Sequence, residues 1–246
     1  MNSWLRYLLC VFLFFGISNS FAQSKKGMQV VYDMTLEFSK YPYYEAKLLF
    51  NATSALFTYQ SKQKEPVNTQ DFTGNTSIVL KDPNKYLLYH HLDGDTIYQL
   101  QSGIKKWGRY DRKETIEWKF VKDTTKQIDR FICKMAKTKF KGRNYIVWYT
   151  ESIPVPLGPW KLTGLPGLIL SASDDHGMVK FEVRRIKNYH KELPNVPLDS
   201  FKWIQKHKYD SLRLSVLKNK MARLFSKGDR SDAITFTVKL DEQIER

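Results

Sequence analysis

The side chains able to do chemistry fall at a few places in this 246-residue chain. His90-His91 with Asp93 and Asp95 has the residue types that hold zinc or another divalent ion. Adjacent residues on a strand point to opposite faces, however, so the two imidazoles do not converge on one ion, and the aspartates are explained as turn residues. Asp174-Asp175-His176 reads the same way. Cys133 would act as a nucleophile if a base or a positive field lowered its pKa. Lys134 is its neighbour, but on a strand it faces the other way, so a buried, inert thiol is the better reading. No Gly-x-Ser-x-Gly elbow is present, and Ser152 and Ser171 have no evident partner. No glycine-rich loop leads into Lys-Ser or Lys-Thr. Gly164-Leu165-Pro166-Gly167 is superficially similar to the Gly-x-x-Gly clamp of certain RNA-binding domains, yet that clamp works between helices, and nucleic acid is not an expected partner. No catalytic residue, metal ligand or cofactor motif is assigned; a thiol- or metal-dependent enzyme stays as an alternative class.

Between residues 153 and 170 the chain concentrates residues that set backbone shape: Pro154, Pro156, Pro159 and Pro166, with Gly158, Gly164 and Gly167. Leu165 precedes a proline and is pushed toward extended geometry, and Pro166 has a fixed φ. Gly167 is expected to supply the positive φ of a type II turn before the apolar run Leu168-Ile169-Leu170, which reads as a buried strand. Connections of this length are functional or packed as a unit, and Trp160, Leu162, Leu165 and Leu168 argue against disorder. Trp148, Tyr149 and Trp160 suit either a core plug or a ligand-facing wall. The candidate ligand- or partner-binding residues are Trp148, Trp160, Leu165, Pro166 and Gly167.

The elements around this loop read mostly as strands. Val30, Tyr32, Met34, Leu36 and Phe38 alternate with Val31, Asp33, Thr35 and Glu37, as on a half-buried strand. Tyr43–Phe50 and Ala52–Tyr59 continue in short aromatic and aliphatic segments, and Gln60–Gly74 reads as an exposed loop. Asp93-Gly94, Lys141-Gly142-Arg143 and Asp174-Asp175-His176-Gly177 mark three hairpins. Asn188–Ser200 reads as a crossing segment. Leu214, Leu217, Met221, Leu224 and Phe225 recur at helical spacing on a basic helix ending near Gly228. Ile234, Phe236, Val238 and Leu240 allow a final strand. The expected fold is mainly β, an antiparallel curved sheet or half-barrel with one amphipathic helix in the C-terminal half, an α+β arrangement being possible.

Arg6 precedes an apolar run, Tyr7–Ile17, too short to span a bilayer but the right length for a signal-peptide core. Ser20-Phe21-Ala22 offers small residues for cleavage, so residues 1–22 are expected to be a signal peptide and 23–246 a single domain. Cleavage would remove Cys10 and leave Cys133 without a partner. A net charge of +15 favours anionic partners, such as lipid headgroups or lipopolysaccharide phosphates, beside the plainer role of keeping the protein soluble.

Gly164-Leu165-Pro166-Gly167-Leu168-Ile169 resembles the GLPGLI family of exported bacterial proteins, of Bacteroidota type. Cys133-Lys134, Gly142-Arg143, Trp148-Tyr149-Thr150, Ile153-Pro154 and Gly158-Pro159 extend the likeness over roughly residues 131–173. The resemblance implies an address in the periplasm or at the outer-membrane surface, and no activity. By analogy of fold alone, a curved sheet is similar to the envelope carriers that shelter acyl chains. The expected function is therefore non-enzymatic binding of an apolar ligand or an envelope protein on a concave sheet face. The alternative is a structural or assembly role beside outer-membrane transport systems, with the signature as core.

Overall fold

The structure is a computed structural model and describes residues 27–39, 42–62, 67–70, 76–79, 85–102, 104, 106–225 and 244–245. The first meander is β1 (Gly27–Leu36), β2 (Tyr43–Phe50), β3 (Ser54–Ser61), β6 (Lys85–His91), β7 (Thr96–Gln101) and β8 (Trp107–Arg112). Between β3 and β6, β4 (Val67–Gln70) and β5 (Thr76–Val79) pair as a separate small hairpin. The second meander is β9 (Lys119–Ile128), β10 (Phe131–Phe140), β11 (Arg143–Thr150), β12 (Leu168–Asp174) and β13 (Val179–Tyr189). A 3-10 turn at Leu198–Ser200, the short β14 (Lys202–Ile204) and the helix α1 (Lys206–Phe225) follow.

Twelve strands form one sheet in the order β14-β8-β7-β6-β3-β2-β1-β13-β12-β11-β10-β9, antiparallel throughout except for the parallel pair β14 and β8. The two meanders meet where β1 pairs with β13, Val30 opposite Ile186. Period-two burial explains the faces: Val30, Tyr32, Met34 and Leu36 turn inward from β1, and Tyr145, Val147 and Tyr149 from β11. Lys141 and Gly142 both take positive φ, as a two-residue hairpin turn requires, and join β10 to β11.

The sheet is rolled. On a flat sheet β8 and β9, second and last in the order, would lie ten strand spacings or about 48 Å apart. The connection between them, residues 113–118, reaches at most about 25 Å. Curvature also brings the rings of Phe57 on β3 and Phe181 on β13 to 6.3 Å, although three strand spacings separate those strands. The edges β14 and β9 are not paired with each other, so the roll stays open. Its inner face carries a single cluster of buried apolar residues that takes in Leu162, Leu165 and Leu168 of the signature segment.

Three features depart from the sequence expectation, the first being β8, which forms at Trp107–Arg112 where no element was assigned. A four-residue strand, β4, forms inside the stretch expected as a loop, and β14 makes the sheet mixed rather than wholly antiparallel. Both strands are too short to show a period. β14 is seated by Trp203, whose ring lies over Gly108 of β8, where any Cβ would collide with it. The expected strand at 234–240 lies outside the described residues.

Candidate functional site

Residues 151–167 leave β11 and return to β12 as a compact loop laid on the inner face of the roll. Its own backbone closes it: Gly164 N–H donates to the Pro156 carbonyl at 3.1 Å, and Ile169 N–H to the Leu157 carbonyl at 2.9 Å. The indole of Trp118, on the chain crossing from β8 to β9, donates to the Thr163 carbonyl at 2.9 Å. The Tyr32 hydroxyl donates to the Ile169 carbonyl at 2.8 Å.

Of the five residues singled out in sequence, Trp160, Leu165 and Gly167 are buried, Pro166 is exposed, and Trp148 is half-buried. Trp148 alternates with Val147 and Tyr149 and so faces the other side of the sheet, with Lys126 Nζ 5.7 Å from its ring. Leu165 is core. Gly167 does not take positive φ; among the described residues that backbone belongs to Trp160 (φ +57°), Gly164 (φ +95°), Asp123 within β9 and several turn positions. Glycine is required at 167 because a Cβ would lie 2.6 Å from the Thr150 carbonyl carbon and 3.0 Å from Glu151 Cα. Trp160, held edge-on to Phe140 at 5.8 Å, is the one of the five that lines a cleft.

That cleft, about 120 Å³, opens between the signature loop, the first meander and the start of α1. Phe38, Tyr44, Tyr59, Tyr86, Trp160 and Tyr209 supply its rings, with Arg109 and Arg213 beside them. Tyr59 and Tyr86 stack at 4.6 Å, 9° from parallel. The volume is below the roughly 300 Å³ of a typical small-molecule pocket and close to the roughly 150 Å³ that accepts benzene, the size of a ring rather than of an acyl chain.

At the cleft wall lies a buried ionic quartet. Arg109 Nη2 donates to Asp111 Oδ2 at 2.8 Å and to both oxygens of Glu245 at 2.9 and 2.8 Å. Lys161 Nζ donates to Asp111 Oδ2 at 2.7 Å and to Glu245 Oε1. The Lys161 side chain is 2% exposed and that of Glu245 9%. Burial works against every one of these charges. For Asp111 and Glu245 the neighbouring Arg109 and Lys161 outweigh it and hold both carboxyls below their ordinary values. The two carboxylates likewise raise Arg109, whereas burial prevails at Lys161 and lowers it.

Beside this quartet there is a separate buried ion pair, Arg143 with Asp174, each side chain 1% exposed. Arg143 Nη1 donates to Asp174 Oδ2 at 2.8 Å, and Arg143 Nε to the Ile244 carbonyl at 2.9 Å. Asp174 also accepts the Val179 N–H at 2.9 Å. Among the described residues, Arg143 Nη2 and the hydroxyls of Tyr145 and Tyr209 are buried without a hydrogen-bond partner. Sequence reasoning missed this cluster because its members are scattered from 109 to 245 in a chain where 26% of residues are charged. One signal was available: Arg143 stands in phase with the inward Tyr145, Val147 and Tyr149.

The other chemical candidates are dispersed. His90 is buried, its Nδ1 3.1 Å from the His91 carbonyl oxygen, and His91 is exposed on the opposite face. Cys133 is fully buried beside the Phe131 carbonyl, and burial pushes its thiol up to about 11. Among the described residues no helix is long and apolar enough to cross a membrane.

Residues 137–171, from β10 through the signature loop into β12, match the model of a family described as a protein of unknown function (Porph_ging). No curated protein matches the chain in sequence. Among solved structures, PNGF-II in two crystal forms, P21 and C2, is similar at TM-scores of 0.54 and 0.53 with 16% identity. The likeness covers 76% of this chain and 32% of PNGF-II, so the chain spans about a third of that protein's length, and at this identity the likeness is one of fold.

Proposed function

We propose that this is an exported envelope protein of the GLPGLI kind that binds, without chemistry of its own, a ring-sized apolar or mixed group of a ligand or protein partner. The observation that carries this reading is the cleft, where six aromatic rings meet a buried ionic wall. Binding sites for small groups combine a mainly apolar lining with a few fixed polar atoms, and this cleft has both. Tyr and Trp rings provide contact area at low entropic cost, and Arg109, fixed by two carboxylates, provides direction. The run Tyr7–Ile17 with Ser20-Phe21-Ala22 supports export, and the basic surface supports contact with anionic lipid or lipopolysaccharide.

A second reading is favoured by the burial of Leu162, Leu165 and Gly167: the signature is core that holds the roll in shape, and the protein serves assembly beside outer-membrane transport systems. Native mass spectrometry with small-molecule extraction, on protein purified from its own envelope, separates the two. A retained molecule that is lost in Tyr86→Ala supports the cleft. An empty protein that brings down a defined partner equally well with or without Tyr86 sinks it and favours assembly.

A further inference from the structure

The second meander carries a row of cations on its outer face. Strand register runs the row across five strands: Lys119 of β9 lies opposite Lys137 of β10, Lys137 opposite Ile146, Ile146 opposite Ser173, and Ser173 opposite Lys180. Residues directly opposite in a ladder share a face. The neighbouring row, Ala136, Val147, Ala172 and Phe181, is paired in the same way and at most 1% exposed, so it faces the core and the lysine row faces out. Lys119, Lys137 and Lys180 are all exposed, and four strand spacings put the ends of the row about 19 Å apart.

The protein does not balance these charges itself. Residues 119–139 hold seven Lys or Arg against two Asp. Other surface cations have partners: Arg184 pairs with Glu45 and Asp33, Lys62 with Asp33, and Lys134 with Glu151. Among the described residues no carboxylate pairs with Lys119, Lys137 or Lys180. Lys119 and Lys137 also face each other directly, a placement in which like charges are destabilising. An anion laid across the two ammonium groups relieves that repulsion.

We propose that this outer face docks on an anionic bilayer, with the lysine row on the lipid phosphates. Charge complementarity supplies the attraction. Ile146 is half-buried in mid-row, and Trp148, two residues on, lies on the same face with Lys126 Nζ 5.7 Å from its ring. An indole suits the headgroup level of a membrane, and lysine stems lie along apolar surface while their ammonium groups reach outward to phosphate. Docking of this kind rests on the envelope reading but not on the cleft. Vesicle binding and ligand retention are read separately in Tyr86→Ala, which should bind vesicles as the native chain does, so either can fail alone.

Protein purified from its own envelope is cosedimented with mixed phosphatidylglycerol–phosphatidylcholine vesicles and with pure phosphatidylcholine vesicles. It should bind the first, less tightly as salt is raised, and not the second. A lysine near an anionic surface contributes about fivefold in affinity, so Lys119→Gln, Lys137→Gln and Lys180→Gln together should weaken binding about 100-fold. The thermal midpoint of that variant should not fall, because the change removes a like-charge pair. Lys191→Gln, Lys208→Gln and Lys218→Gln remove the same charge from exposed positions on other elements and should together cost no more than about fivefold. Brominated phosphatidylglycerol should quench part of the tryptophan emission, and Trp148→Phe should remove that part. Equal losses in the two triple variants would overturn the proposal, as would equal binding to both kinds of vesicle. So would a short single-stranded oligonucleotide that binds through the same three lysines more tightly than the mixed vesicles do.

Discussion

Replacing Gly167 by alanine tests what the signature is for. Its φ is not positive, so conformational strain contributes nothing, and the cost must come from contact. The added Cβ would overlap the Thr150 carbonyl oxygen and lie 2.6 Å from the carbonyl carbon and 3.0 Å from Glu151 Cα. These are backbone atoms at the end of β11, unable to move aside as a side-chain tip could. Overpacking a tight site costs about 1–3 kcal/mol, and immovable obstructing atoms put this case near the top, at about 3 kcal/mol. For a domain of this size that corresponds to a fall of about 6–12 °C in midpoint temperature. Thermal unfolding followed by circular dichroism measures it, with Gly164→Ala as the control. At Gly164 φ is +95° but the nearest obstruction is Trp118 Nε1 at 3.6 Å, so only backbone strain applies, about 1–2 kcal/mol. Gly167→Ala should therefore be the more damaging of the two. If it is equal to Gly164→Ala or milder, the close-approach argument is wrong.

Other consequences follow from the buried groups. Asp111 and Glu245 titrate below their ordinary values when folded, so the unfolded chain takes up protons first as the pH falls. The stability they contribute is complete above the ordinary carboxylate range and is lost as the pH falls through their folded values. The urea midpoint should start to drop below about pH 5, less steeply in Glu245→Gln, and a level midpoint at still lower pH would refute this. Burial raises Cys133 from about 9 to about 11, which lowers the thiolate fraction about 100-fold near neutrality. Alkylation should accordingly be at least that much slower in the folded chain than in urea, and equal rates would expose the thiol as reactive. Trp118→Phe removes the indole donor from the Thr163 carbonyl and should cost about 1 kcal/mol in denaturant titration, with no change in the fold.

The hairpins were legible because local chemistry suffices to specify them. Asp93-Gly94 and Lys141-Gly142 announce tight turns, and alternation in β1 and β13 assigns their inward residues. A curved sheet was expected from the run of meander strands with one late helix, yet its tightness depends on the short crossing at residues 113–118, whose span has meaning only once strand order is known. β14 escaped notice because three residues carry no period, and its seat is made by Trp203 over Gly108. Gly167 was expected to supply a positive φ and instead permits a close approach to the β11 backbone: the two needs leave the same glycine in a sequence. Arg109, Lys161 and Glu245 stayed hidden for a different reason. A lysine or arginine in a basic chain reads as solvated surface, and only tertiary pairing makes it a wall of a site.

The pairing of β1 with β13 has a consequence for how the molecule is made. Val30 and its partner Ile186 are 156 residues apart, so at about 5–20 residues per second the ribosome takes about 8–30 s to supply the second after the first. Throughout that time the first meander can zip from β1 onto β2, but the other side of β1 has nothing to bond. The strand Gly-Met-Gln-Val-Val-Tyr-Asp-Met-Thr-Leu bears one charge and no proline, the composition of an edge that recruits another chain. Until β13 arrives, that edge is the place where a second copy of the chain would find backbone partners, so the late strand β13 completes the sheet and also closes its most exposed seam.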